Sequence, residues 1–488
     1  MEYVSAARHS ITNHRFVSNR NGVATLRRPD ATGRWGVGLT LTAASHQRGA
    51  RKVAPAPRTA FAVDFQHSLK EQVSHQRSGS ENMTLMDHPL SPRSNEIKPS
   101  EVHKYVRKLK TFLGRDALAK AQADLDKDLV HHGRLYQYWL EHHRPWLFAL
   151  RLYDKITTNG IHTPPQWPVA IQKLVGDGLM IASLHRGMPD DVKAKYRKDL
   201  LTRQHGDFMF EISTAWHYYL QGFDIQWYPL GHNKCPEFRV YGGGLDFDVE
   251  CRRFSLDVSE RIKISTMADV CDGLHKILAD NAVWGEVDVE VSDDFRFDPN
   301  HMCVWARALE SALKEAQTSI QLDLSVILKL DLKASPSRQH TPHEILALAQ
   351  SRQHPEVTFV LSKREGELGF DPVVFRCHGP RKTPTELRDY IYSTLKNKVD
   401  MQLSPERAGV LVAKFSGIRD PQVFNESEGM RSAVARLFNR KHLAALVLQG
   451  DDVAEGVPGS VIHFTPANVF RNPETIFACV AEASHLTR

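Results

Sequence analysis

The 488-residue sequence lacks long apolar runs, closely spaced cysteine pairs and several common catalytic motifs. It contains no run of about 18 apolar residues, so we expect no membrane-spanning helix and no membrane partner. The N-terminal stretch MEYVSAARHSITNHRF has no apolar segment typical of a secretory signal, so we expect a cytoplasmic protein. Gly-x-Ser-x-Gly, His-Glu-x-x-His and dinucleotide-binding glycine motifs are missing, which disfavours the common serine hydrolases, zinc proteases and Rossmann enzymes.

The positions of the cysteines argue against a zinc ribbon and against a disulfide framework. The six cysteines are Cys235, Cys251, Cys271, Cys303, Cys377 and Cys479. They form no CxxC pair, which argues against a zinc ribbon, and their wide spacing gives no disulfide framework. We therefore expect reduced thiols that pack as small apolar side chains.

The net charge of +6 is unevenly distributed along the chain. Residues 1 to 63 carry ten Arg and Lys residues against Glu2 and Asp30, a balance of +8 that leaves the rest of the chain near −2. The overall charge therefore says little about the ligand of the folded part.

Four regions are predicted from the composition and from apolar periodicity. Residues 1–95 are rich in Arg, Ser, Thr, Gly and Pro, and we expect them to be a disordered basic tail. A nucleic-acid-binding arm, an organelle-targeting peptide and sequence upstream of a start at Met83 or Met86 all fit this tail, the last slightly better. Residues 96–205 read as a helical region, residues 206–300 as a compact core and residues 301–488 as an α/β region of unknown role.

Local signals support the helices and strands of these regions. Ser100 can cap the first helix, and the box Thr383-Pro384-Thr385-Glu386 opens a later one. The short apolar strands VLVA and LAALVL are typical of a sheet covered on both faces. The fold class is therefore predicted to be α/β.

The most informative stretch is CPEFRVYGGGLDFDVECRR, residues 235–253. Because side chains alternate along a strand, LDFDVECRR places Leu, Phe, Val and Cys on one face and Asp246, Asp248, Glu250 and Arg252 on the other. The three glycines supply the positive φ angles of a tight hairpin. With Gly242 and Gly243 as a two-residue loop, Glu237 is predicted to lie opposite Asp248 and diagonal to Glu250.

Further acidic side chains are expected near this hairpin. Glu211 lies at the edge of the apolar stripe of the preceding helix, so it can lean toward the sheet. Crowded carboxylates repel one another unless a cation is present, and oxygen ligands of this kind suit Mg²⁺ or Mn²⁺. For Glu250 and Arg252, a solvent-exposed strand face with a cross-strand ion pair is the simpler alternative.

The order of a helix with Glu, a strand, a strand beginning with Pro-acid, a strand ending in acid-x-base and then a helix resembles the PD-(D/E)XK nucleases, the restriction-endonuclease-like fold. The resemblance covers about residues 207–295, with Pro236-Glu237 in place of Pro-Asp and Glu250-Cys251-Arg252 in place of acid-x-Lys. It implies an αβββαβ core in which Glu237 and Glu250 ligate the metal, Glu211 supports them and Arg252 occupies the position of the catalytic lysine.

Arginine in the lysine position is the main departure, because a guanidinium stays protonated and cannot act as a base. Lys263, near the start of the next predicted helix, could supply a lysine from another direction. Asp248 and Arg253 are candidates for supporting the metal ligands or contacting phosphate.

Two functions follow as hypotheses. The first is a divalent-metal-dependent endonuclease that hydrolyses phosphodiester bonds, with DNA as the expected substrate, in restriction, defence or repair in a bacterial cytoplasm. The second is a catalytically inactive protein of the same fold that binds nucleic acid or acts as an assembly module. RNA as the substrate, sequence specificity and oligomeric state stay open at this point.

Overall fold

The computed structural model describes Arg93 and residues 97–483, with gaps at 161–166, 232–234, 282, 299, 335–356, 365–369, 419, 452 and 458–459. It also describes two short antiparallel strands, β1 at Phe16–Ser18 and β2 at Ala24–Leu26. The tail predicted over residues 1–95 otherwise lies outside the described residues, apart from Arg93. The chain is a mixed α/β protein.

The described helices and strands alternate irregularly along the chain. The α-helices are α1 Val102–Leu113, α2 Arg115–His131, α3 Arg134–His143, α4 Pro145–Thr158, α5 Val169–Leu184, α6 Asp190–Asp199, α7 His205–Leu220, α8 Ile264–Asp280, α9 His301–Lys314, α10 Pro384–Gln402, α11 Val423–Glu426, α12 Glu428–Phe438 and α13 Ala478–Ala483. The remaining strands are β3 Asp224–Trp227, β4 Phe238–Gly242, β5 Leu245–Phe254, β6 Val283–Val291, β7 Ser319–Asp323, β8 Val326–Ala334, β9 Val357–Arg364, β10 Phe370–His378, β11 Ala408–Phe415, β12 Leu443–Gln449, β13 Val453–Val457, β14 Ser460–Phe464 and β15 Ala467–Arg471.

The first sheet has the strand order β15-β12-β11-β5-β4-β3. β3, β4 and β5 pair antiparallel in sequence order, whereas β11 pairs parallel with both β5 and β12. A parallel neighbour requires a crossover connection, and α10 is the helix that immediately precedes β11. β5 and β11 are therefore central strands, which explains their nearly continuous burial.

Helices cover both faces of this sheet. On one face, Phe238, Val240, Phe247 and Val249 join a core cluster that also contains α7 and the buried stripes of helices α1 to α6. On the other face, Leu411 and Ala413 pack with Ile391, Leu395 and Val399 of α10 and with α12. Because one cluster runs from the helical region into the sheet, α6 and α7 can contribute side chains to the same site.

The second sheet has the order β7-β8-β6-β10-β9 and its own core. α8 and α9 pack on this sheet through Leu274, Leu278 and Trp305. The segment from α8 to β10 thus lies, in sequence, between β5 and α10 of the first sheet.

This topology corrects the predicted core of residues 206–300. We expected α8 and β6 to complete the sheet of the hairpin, but they belong to the second sheet, and the parallel neighbour of β5 is β11. The alternating pattern of β6 identifies a strand but not its partner, because partner choice depends on packing between distant segments.

Helix boundaries follow the expected end signals at α10 but not at α1. Thr383 accepts a hydrogen bond from the backbone N–H of Glu386, and the Glu386 carboxylate accepts one from that of Thr383, so the predicted capping box is confirmed. Ser100 does not cap α1, because a 3₁₀ turn at Pro99–Glu101 moves the helix start to Val102. No helix among the described residues is long and apolar enough to cross a membrane.

Candidate active site

The β4–β5 hairpin sets the spacing of the acidic side chains. Tyr241 pairs with Asp246 and Gly242 with Leu245, so Gly243 and Gly244 form a two-residue loop with φ angles of 59° and 80°. Two positive φ angles in a row are typical of a type I′ hairpin. The loop is even, as the predicted geometry required, but it lies one residue later than predicted.

The shifted loop changes which acidic residues face each other. Phe238 pairs with Val249, and the backbone N–H of Glu237 donates to the carbonyl oxygen of Val249 at 3.1 Å. This bond is shifted by one residue from the ladder, so the regular pairing ends at Phe238. Asp248 pairs with Arg239, so Glu237 does not lie opposite Asp248 as we had predicted.

Glu250 forms an ion pair with a lysine from α10. Its side chain is 0% exposed, and its Oε1 lies 2.5 Å from the Nζ of Lys398, which is 23% exposed. Neither carboxylate oxygen of Glu250 accepts a hydrogen bond of normal geometry from the described residues. Burial and the nearby charge of Glu237 raise the pKa of Glu250, whereas Lys398 opposes the rise.

Glu237 shares the same ammonium group. Its Oε1 lies 3.9 Å from the Nζ of Lys398, and burial raises its pKa while the charges of Lys398 and Lys195 oppose the rise. For Lys398, burial acts to lower the pKa, but the carboxylates of Glu250, Glu237 and Glu211 together outweigh it, so the pKa of Lys398 is raised. Lys398 is therefore a protonated cation between two carboxylates.

Glu211 is the third acidic group, and it is held by the helical region. The hydroxyl of Tyr196, a side chain that is 3% exposed, donates a short hydrogen bond to Oε2 of Glu211. Burial raises the pKa of Glu211 well above its usual range, and the charge of Glu237 adds to the rise. One ammonium cannot neutralise three carboxylates, so a further cation bound here would lower the pKa of Glu211 again.

These groups surround a cavity of about 420 Å³. Its charged lining comes from α6, α7, the hairpin strands and α10, and consists of Lys195, Asp199, Asp207, Glu211, Glu237, Arg252, Arg253 and Lys398. Glu250 is not part of the lining and meets the cavity through Lys398. Glu211 and Glu237 line this cavity and Glu250 does not, so the predicted convergence of all three carboxylates on one cation stays a prediction. The sequence did not predict the lysine between Glu237 and Glu250.

The two arginines after Glu250 differ in their partners. Arg252 lines the cavity with its guanidinium 5.8 Å from the ring centroid of Phe254, and its buried Nε has no hydrogen-bond partner in the described part of the chain. Arg253 forms an ion pair with Asp207 at 3.4 Å. Arg252 is thus the arginine available to an incoming anion.

Asp248 belongs to a separate polar network. Its Oδ1 accepts hydrogen bonds from the hydroxyl of Tyr228 at 2.6 Å and from Arg407 at 3.1 Å, and its side chain is 3% exposed. Asp246 pairs with Arg239. Asp248 therefore anchors the loop that carries Tyr228 to the sheet rather than joining the three glutamates.

Lys263 is not part of the cavity lining. It precedes α8, where its charge acts to lower the pKa of Asp257. The lysine that lies near Glu237 and Glu250 is Lys398, which the sequence analysis did not predict. Lys398 directly precedes the buried Val399 on α10, which places it near the buried face of the helix. No sequence motif marks the position of Lys398.

The fit of a divalent cation depends on the donor set. No group of three or more His, Cys, Asp or Glu side chains in the described ranges is arranged to hold a metal ion. Glu237 and Glu250 still offer carboxylate oxygen atoms on either side of the ammonium of Lys398. Two carboxylates with water and phosphate oxygens are the ligand set that Mg²⁺ commonly takes, so the donors fit Mg²⁺ or Mn²⁺.

Comparisons with protein-family models, curated proteins and solved structures gave no match for this chain.

Proposed function

We propose that the chain is a divalent-metal-dependent nuclease that hydrolyses phosphodiester bonds of DNA. The observation that carries this proposal is that Glu237 and Glu250 share the ammonium of Lys398, at 3.9 Å and 2.5 Å, beside an open cavity. Buried like charges gathered around a cavity are uncommon outside functional sites.

The order of elements in the first sheet supports the same proposal. α7 carries Glu211, the antiparallel strands β3, β4 and β5 follow, and α10 leads into the parallel strand β11. This order resembles the αβββαβ core of PD-(D/E)XK nucleases, with the second sheet inserted before α10. We propose the relationship from this order and from the acidic residues together.

Glu237 and Glu250 would hold Mg²⁺ or Mn²⁺. When bound, such an ion supplies an activated water and stabilises charge on the departing phosphate oxygen. Arg252, which lacks a partner within the described residues, would face the scissile phosphate and neutralise its charge. Tyr196 would keep Glu211 directed at the cavity.

Lys398 would supply the lysine side chain that Arg252 replaces in the acid-x-Lys pattern. Its raised pKa keeps the amine protonated, so it would act by stabilising negative charge and by donating hydrogen bonds rather than by removing a proton. Its proximity to both carboxylates places that charge where phosphate oxygens would bind.

A catalytically inactive protein of the same fold is the second candidate function. Two observations favour it: arginine occupies the position of the lysine, and Lys398 already compensates part of the acidic charge. Such a protein would bind nucleic acid or serve as an assembly module through the same cavity.

Cleavage of plasmid and single-stranded DNA in Mg²⁺ or Mn²⁺ separates the two candidates. The wild-type protein would be compared with Glu250→Gln and with Glu310→Gln, which changes an exposed glutamate on α9. We expect Glu250→Gln to lower the cleavage rate by at least about 100-fold, because a lost metal ligand removes several kcal/mol of transition-state stabilisation.

Glu310→Gln should cleave like the wild type, and EDTA should stop both. Equal cleavage by wild type and Glu250→Gln would show that the site is assigned wrongly. Absence of cleavage from every sample would favour the inactive candidate.

A further inference from the structure

Four cationic side chains line the cavity, and they fall into two pairs. Arg253 and Lys398 are neutralised within the chain by Asp207 and Glu250. Lys195 and Arg252 have no ion-pair or side-chain hydrogen-bond partner in the described part of the chain. The second pair is therefore free to meet an anion from solution.

Lys195 belongs to the helical region rather than to the sheet. It lies on α6 beside Tyr196, whose buried ring packs edge-on against Phe208 at 5.0 Å and Trp227 at 5.5 Å. The ammonium of Lys195 lies 5.1 Å from the ring centroid of Phe208, which is a wall of the same cavity. The neighbouring anchor and the aromatic contact hold an exposed lysine at the cavity mouth.

The charge of Lys195 acts on the acidic groups without pairing to them. It opposes the rise in the pKa of both Glu211 and Glu237, so it lies close enough to influence them. It nevertheless forms no ion pair within 4 Å among the described residues. An unpaired lysine beside a site for an anionic substrate is placed to contact that substrate.

We propose that Lys195 binds a backbone phosphate of the nucleic-acid strand whose scissile phosphate faces Arg252. This inference rests on the proposed function, because it assigns a substrate contact to the same cavity. It makes the helical region part of the substrate-binding surface. Because an ammonium group interacts with the phosphate charge and not with the bases, the contact would not depend on the nucleotide sequence.

The salt dependence of DNA binding tests the contact. Binding of a fluorescent duplex and of one of its single strands would be measured in EDTA at several NaCl concentrations, so that no cleavage interferes. Each phosphate contact contributes about 0.9 to the slope of log K against log salt for duplex DNA and about 0.7 for a single strand. We expect Lys195→Ala to weaken binding and to reduce the slope by about one such contact.

Lys198→Ala is the matched control, because Lys198 is exposed on the same helix but does not line the cavity. It should leave the slope unchanged, and Lys195→Arg should retain it because the charge remains. A slope for Lys195→Ala equal to that of the wild type overturns the inference, as does a wild-type protein that binds neither DNA.

The salt-dependence test of Lys195 can succeed or fail independently of the nuclease proposal. A reduced slope in a protein that never cleaves DNA supports the Lys195 contact and argues against hydrolysis. Normal cleavage with an unchanged slope supports hydrolysis and overturns the contact.

Discussion

At the residue scale, the pair of Lys398 and Glu250 dominates the electrostatics of the site. Glu250 is fully buried, and its Oε1 lies 2.5 Å from an ammonium that also serves Glu237. Taking one member from a buried pair leaves a charge in an environment of low polarity, which is strongly destabilising. The pair should therefore have a measurable effect on folding that is separate from any activity.

We expect Lys398→Met to lower the free energy of unfolding by about 3 kcal/mol at pH 8 in EDTA. The pKa of Glu250 is already raised in the fold, and without Lys398 it should rise further. A group whose pKa is raised by folding loses its stabilising effect as pH rises above the unfolded value, about 4.3 for Glu. The deficit of the variant should therefore be smaller at pH 5 than at pH 8.

Urea unfolding at the two pH values measures this difference. Lys396→Met is the control on the same helix, because Lys396 pairs with Asp400 at 3.5 Å on the surface, and such pairs contribute at most about 1 kcal/mol. The double variant Lys398→Met with Glu250→Gln should recover part of the loss. A stability deficit that does not change with pH would mean that the pKa of Glu250 does not depend on Lys398.

At the element scale, the hairpin shows what the sequence could and could not predict. The alternation of side chains between the two faces of a strand is a local property. The acidic face and the apolar face of the hairpin could therefore be predicted from the sequence alone. Three consecutive glycines allow two different two-residue loops, and the sequence cannot choose between them. The structure uses Gly243 and Gly244, and this choice pairs Asp248 with Arg239 instead of with Glu237.

Lys398 and the parallel neighbour of β5 were missed for one physical reason. Both come from segments far along the chain, after the inserted second sheet, and the sequence contains no local pattern that specifies such long-range contacts. The capping box at Thr383 correctly predicted where α10 begins, but a helix start does not tell which strand the helix covers. Tyr196 was missed similarly, because its partner Glu211 lies on a different helix.

The positive φ angle at Gly244 makes a prediction for the hairpin. A side chain at a φ of 80° crowds the backbone, so we expect Gly244→Ala to lower the free energy of unfolding by about 1 to 2 kcal/mol. Gly176→Ala is the opposite case, because Gly176 lies inside α5 and an added Cβ would meet no heavy atom within 4 Å.

Gly176→Ala should stabilise the protein by about 0.5 to 1 kcal/mol through helix propensity. Chemical unfolding of both variants under one set of conditions gives the comparison. If Gly244→Ala were as stable as the wild type, the loop would not have the left-handed backbone described above.

At the scale of the whole molecule, the helical region contacts both sheets. It shares a core with the first sheet, and Leu135 of α3 is buried in the core of the second. Asp272 of α8 accepts hydrogen bonds at 3.1 Å from the backbone N–H groups of Leu135 and Tyr136. A carboxylate from the inserted segment thus caps the start of a helix in the N-terminal region.

The cap is tightly packed and electrostatically unusual. A Cβ at Gly133 would lie 2.3 Å from the Cγ of Asp272, so only glycine allows this approach. Burial raises the pKa of Asp272 to about 6, the charge of Asp269 adds to the rise, and the two backbone donors and His132 oppose it. Since the pKa of an unfolded Asp is about 3.9, folding is coupled to protonation of this residue.

Asp272→Asn should therefore change the pH dependence of stability. A raised folded pKa means that the contribution of Asp272 is complete below pH of about 4 and declines as pH rises to about 6. Asparagine cannot ionise, and it keeps one of the two oxygen acceptors at the helix start, a loss that does not vary with pH. Relative to the wild type, the variant should gain stability between pH 4 and pH 7, by at most about 3 kcal/mol for a shift of two pKa units.

Thermal unfolding of wild type, Asp272→Asn and Asp272→Ala at pH 4, 5.5 and 7 measures the effect. Asp272→Ala removes both ionisation and the cap, so it should be less stable than Asp272→Asn at every pH, by about 1 kcal/mol. Parallel curves for wild type and Asp272→Asn would show that Asp272 titrates normally in the fold.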